Sequence, residues 1–139
     1  AATWRSPLLA MLHAAFAFLP LGLAVAAMGE AGWLAPAAGL HLLGIGAMAA
    51  MTLAVMIRAT RGHTGRSLAA GPALSLAFAL IASAALLRAL GPLAEGWAAA
   101  SLDFAALGWT VGFAIFAWRA APWLLGPRAG RKAPSRTSA

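Results

Sequence analysis

The chain has 139 residues, 63% of them hydrophobic and only 9% charged, with a mean hydropathy of +0.85. A water-soluble domain carries about 25% charged residues, so this chain lacks the polar side chains to cover a water-facing surface, and a helical membrane protein is the class that remains. The net charge of +7 does not point to nucleic acid, because the basic residues punctuate apolar segments and fill a short tail, as membrane topology signals do.

Alanine and leucine dominate while valine and isoleucine are sparse. The period-two alternation of lipid-facing barrel strands is absent from the sequence. With no cysteine, disulfides, iron–sulfur ligation, thiolate–zinc sites and the C-x-x-C-H attachment of c-type haem all fall away. The chain opens at Ala1 without an initiator methionine, as a piece of a longer protein would.

A spanning helix needs roughly 20 apolar residues, and four segments qualify. The first runs from Leu8 to Met28, with Pro7 suited to its first turn and Pro20 expected to kink it. The second runs from Ala35 to Ile57, with Pro36 near its start. The third spans Pro72 to Leu90 and the fourth Leu102 to Leu124, with Asp103 placed to cap the fourth. Residues 1–125 therefore read as one four-helix transmembrane module. The sequence from Gly126 to Ala139 is small, polar and basic, a tail expected to be disordered or to lie on anionic headgroups.

Lysine and arginine placement sets the topology. Arg5, Arg58, Arg61, Arg66, Arg119, Arg128, Arg131, Lys132 and Arg136 share one side if the chain crosses four times. The other side keeps Arg88 with Glu30, Glu95 and Asp103. Both termini and the 58–71 loop are thus expected in the cytoplasm. Trp4, Trp33, Trp97, Trp118 and Trp123 fall near predicted helix ends, where an aromatic belt belongs; only Trp109 is mid-span.

Hydrocarbon tolerates ionisable groups poorly, so a histidine inside a span is a functional-site hypothesis. His41 sits in the second span and His13 in the first. At 100° per residue, Met48 and Thr52 fall within about 20° of His41, while Gly39, Gly46 and Ala50 gather on the opposite side. Small residues let a neighbouring backbone approach closely, which gives one face for packing and one carrying polar and sulfur atoms. The His41 imidazole suits haem iron or copper, and equally a hydrogen bond across a helix pair. Counted from the cytoplasmic ends, His13 is roughly 8 Å deep and His41 roughly 24 Å. They cannot both be axial ligands of one iron, and either needs a partner outside this chain.

His63 lies in Arg61-Gly-His-Thr-Gly-Arg66, expected to be a loop. It shares the cytoplasmic side with His13, so the two are candidates to converge on one site. Arg58, Arg61 and Arg66 offer bidentate clamps for an anion such as a haem propionate, or serve simply as positive-inside signals. Met48 and Met51, with Met56, suggest a soft copper(I) site, although methionine is also a packing residue. Arg88 is expected to snorkel to the outer interface.

The run from His41 to Leu68, with Gly44, Gly46-Ala-Met48, Met51-Thr52, Met56, Arg58 and Gly62-His-Thr-Gly-Arg66, resembles the carboxy-terminal hallmark of the NnrS proteins. Leu12-His13, Leu19-Pro-Leu-Gly22, Ala85-Leu-Leu-Arg88 and Gly126-Pro-Arg128 fit the same family. Ala49 stands where glycine is expected more often. The resemblance implies a bacterial inner-membrane protein of about twelve helices, of which this chain is the last third. It also implies bound b-type haem and copper, and a link to nitric oxide metabolism, denitrification and nitrosative stress. By the same resemblance His13, His41 and His63 are the metal-site candidates, the preceding helices and the lipid bilayer are partners, and nitric oxide is a possible ligand. Two other readings stand beside it: a permease subunit with proton-relay histidines, and a purely structural membrane module.

Overall fold

In the computed structural model, which describes residues 6–127, four helices long and apolar enough to cross a membrane follow one another in the chain. They are α1 (Pro7–Glu30), α2 (Pro36–His63), α3 (Gly71–Leu90) and α4 (Ala98–Leu125). No strand occurs among the described residues, so the all-α, polytopic expectation holds. From Arg128 onward the basic tail, like Trp4 and Arg5, lies outside the described residues.

Local sequence explains where the helices start and stop. Pro7, Pro36 and Pro72 each occupy a first helical turn, where the missing N–H would be unpaired anyway. The helix α1 continues through Pro20 to Glu30. Two helices close with a left-handed glycine just past the end. At the end of α2, Gly65 has φ +73, the Gly65 N–H donates to the Gly62 carbonyl, and the Arg66 N–H donates to the Arg61 carbonyl. Gly32 and Trp33 repeat this pattern on Gly29 and Met28 after α1, which satisfies otherwise orphaned carbonyls.

Two boundaries differ from expectation. The second helix runs past Ile57 to His63, so Arg58, Arg61 and His63 ride on its last turns instead of a loop; helix-tolerant residues carry it on until the glycine at 65 stops it. The fourth helix begins at Ala98, with Trp97 at the cap position. Asp103 is therefore inside the helix and exposed, and the expectation that it caps the helix fails.

Consecutive helices pack on one another in order, α1 on α2, α2 on α3 and α3 on α4, with α2 also touching α4. Leu8, Met11, Leu53, Ile57, Leu74 and Ile81 fill the core toward the end where α2 finishes; Phe18, Leu42, Ala85 and Ala89 fill it toward the other. The small-residue face of α2 is real. Gly39 lies on the Ala26 backbone and Gly46 on the Phe18 ring, and Ala50 is fully buried. The peripheral helix α4, with only 17% of its apolar window buried, meets α3 through Gly108 and Gly112. A methyl group at Gly112 would lie 2.9 Å from the Ala77 carbonyl oxygen.

The second helix is not α-helical throughout. Leu42–Ala49 is a π-helix, in which hydrogen bonds run i→i+5 and each residue turns the chain by less than in an α-helix. That stretch lies between His41 and Thr52, and it decides which side chains share a face.

Candidate functional site

The chain alternates direction at each turn, so the molecule has two rims. The 64–70 turn and the far end of α4 form a basic rim; the 31–35 and 91–97 turns, with Glu30, Glu95 and Asp103, form the acidic one. His13 and His63 belong to the basic end, His41 to the acidic end.

Between α2 and α3 the structure joins two polar groups. Arg88 Nη2 lies 3.0 Å from His41 Nε2. Arginine has no acceptor, so Nε2 accepts and the imidazole proton sits on Nδ1, which is buried in the helix pair. While this contact holds, neither ring nitrogen offers a lone pair to a metal. Arg88 therefore turns inward to a neighbouring helix instead of snorkelling away; a neutral acceptor within reach outweighs the longer path to water. A comparison of depths in the sequence signals the pair, because both residues lie near the acidic end of consecutive spans.

His13 presents the opposite state. It is exposed on α1, and its Nδ1 lies 2.7 Å from the Leu9 carbonyl oxygen. A carbonyl only accepts, so Nδ1 carries the proton and Nε2 keeps its lone pair. A carbonyl bond of this kind is the usual support behind a metal-binding histidine. His13 shares a groove with Leu12, Phe16 and Met51. Phe16 and Met51 also line the adjoining groove with Met48.

The methionines thus go with His13, not with His41. The face expected at 100° per residue fails because the π-helical turn rotates Met48 off the His41 side. Met48 is 71% exposed and faces the α1 groove, while His41 meets α3.

His63 ends α2 and is exposed. It lines a groove with Val55, Arg58, Ala59, Gly62 and Leu68, separate from that of His13. The two basic-rim histidines are not brought together. Among the described residues no group of three histidine or acidic side chains is placed to hold a metal ion.

The three arginines also divide. Arg58 stays with His63. The Arg61 guanidinium carbon lies 4.9 Å from the centre of the Trp123 ring and that of Arg66 5.6 Å. Arg61 also donates through Nε to the Ser67 carbonyl at 2.6 Å and through Nη2 to Ser67 Oγ at 3.3 Å. Sequence reasoning placed Trp123 in an aromatic belt and missed these contacts; its position at the same rim as the arginines was the available signal.

The helices and their polar contacts define a multi-pass membrane protein whose lone histidines are set on separate grooves and helix pairs. More particularly, the chain belongs to the NnrS family: the family model described as NnrS protein matches residues 1–128. No curated protein and no solved structure matches the chain.

Proposed function

We propose that this chain is part of a haem- and copper-binding protein of the bacterial inner membrane that acts in nitric oxide metabolism and resistance to nitrosative stress. Membership of the NnrS family supports the class. The observation that carries the metal reading is the His13 ring, whose Nδ1–H is held by the Leu9 carbonyl so that Nε2 remains free to ligate.

Each residue has a distinct part in this reading. His13 Nε2 supplies a nitrogen ligand, with the Met51 and Met48 thioethers in the same connected groove as soft donors suited to copper(I). His63 supplies a second, separate nitrogen ligand, with Arg58 alongside to receive a carboxylate such as a haem propionate. His41, occupied by Arg88, braces α2 against α3 and becomes a ligand only if that contact is released. A bound haem iron or copper supplies the coordination position at which nitric oxide binds. The remaining ligands come from outside residues 6–127, because each groove offers one imidazole.

The test uses the full-length protein purified from membranes, with its optical spectrum and copper content. The reading requires a haem Soret band and bound copper. Replacing His13 with alanine is expected to remove most of one metal and leave the other, and replacing His63 the reverse. Wild-type protein with neither haem nor copper would falsify the reading; unchanged metal content in both variants removes these histidines from it.

A further inference from the structure

We propose that Arg61 and Arg66 form a binding site for the phosphate of an anionic lipid headgroup at the basic rim, with the Trp123 indole as its floor. Two guanidinium groups rest on one indole ring, at 4.9 and 5.6 Å from its centre. Both arginines and Trp123 are half-buried between the end of α2, the 64–70 turn and the end of α4. Arg119, on the same end of α4, lies against a different indole, its guanidinium carbon 5.7 Å from the centre of the Trp118 ring.

Among the described residues this concentration of like charge has no counter-ion. The carboxylates Glu30, Glu95 and Asp103 all belong to the opposite rim. Each guanidinium carries five N–H donors and no acceptor. Among the described residues Arg61 gives donors only to Ser67, and Arg66 makes a single long contact, of 3.5 Å, with the Thr64 carbonyl. Donors are therefore left over around a common centre of positive charge. A phosphodiester matches it, because arginine forks bind phosphate oxygens bidentately and basic pockets between membrane helices take anionic headgroups.

The surroundings favour a lipid over a free ion. Trp123 is followed by Leu124 and Leu125, which are 63% and 88% exposed and offer an apolar surface to an acyl chain directly beside the charge. The site is separate from the histidine grooves and does not depend on metal content.

The full-length protein in detergent is titrated with phosphatidylglycerol, with phosphatidylcholine of the same acyl chains, and with inorganic phosphate, and bound adducts are counted by native mass spectrometry. Phosphatidylglycerol is expected to bind more tightly than phosphatidylcholine. That preference should fall about fivefold for each arginine replaced by glutamine, in R61Q and R66Q alike. The double variant R61K/R66K keeps the charge but not the forked, stacked geometry, and is expected to retain an intermediate preference. It also serves as the probe if R61Q or R66Q does not fold. Equal binding of the two lipids, or a preference unchanged in these variants, overturns the proposal. Displacement of phosphatidylglycerol by millimolar inorganic phosphate overturns the lipid assignment in favour of a soluble ion.

Discussion

Arg88 donates to His41 across the α2–α3 boundary at 3.0 Å, and this contact sets the protonation state of the imidazole. A permanently charged side chain near the end of one span is held by the neutral acceptor of the next. Among the described residues no carboxylate pairs with it, so the imidazole is its one side-chain partner.

Loss of that acceptor should be felt as stability. His41→Ala is expected to destabilise the full-length protein by about 1–3 kcal/mol, the cost of orphaning a charged donor. His41→Gln, which keeps an acceptor, should cost less than half as much. Chemical unfolding in detergent measures the difference, and equal losses in the two variants would show that the acceptor is immaterial.

Gly39 and Gly44 lie close together in α2 yet differ in surroundings. A methyl group at Gly39 meets the Ala26 backbone, whereas one at Gly44 meets nothing within 4 Å. Gly39→Ala should therefore cost about 1–3 kcal/mol through overpacking and lower the amount of folded protein in the membrane. Gly44→Ala should leave it unchanged. Thermal melts of the two variants side by side decide the point.

Gly91 and Ser101 form a reciprocal pair, since a methyl group at Gly91 would occupy the place of the Ser101 side chain. Gly91→Ala alone is expected to destabilise by about 1–3 kcal/mol. Adding Ser101→Gly should recover most of that loss, despite the helix cost of glycine. A double-mutant cycle with no coupling would place the two residues apart.

These 139 residues hold no cysteine, so in a background with any other cysteines replaced, an introduced one reports sidedness directly. A single cysteine at Ser67 should react with a membrane-impermeant maleimide only from the cytoplasmic side, and one at Glu95 only from the outer side. Labelling of both from the same side would contradict the four-crossing arrangement.

Much of the fold was legible because each signal behind it is local. Runs of apolar residues give the four spans, and the prolines at 7, 36 and 72 mark their starts. The small residues Gly39, Gly46 and Ala50 mark a packing face, and that face is buried. Gly108-x-x-x-Gly112 is equally readable as a close-approach motif, and it is where α4 meets α3. The π-helical stretch at 42–49 was not legible, because its apolar residues suit either hydrogen-bond ladder. The shared face of His41 and Met48, an angular argument that crossed it, failed for that reason.

The apolar runs along the sequence alone determined that this chain forms four helices long and apolar enough to cross a membrane, since hydrocarbon leaves a polar backbone few ways to pair its own groups. Sequence also supplied the candidate side chains and the family resemblance. Only tertiary structure decided what each side chain meets. It gave His41 to Arg88, His13 to the methionine groove, His63 to Arg58, and Arg61 with Arg66 to Trp123. Those pairings depend on helix rotation and depth relative to a neighbour, quantities fixed by packing between segments distant in sequence.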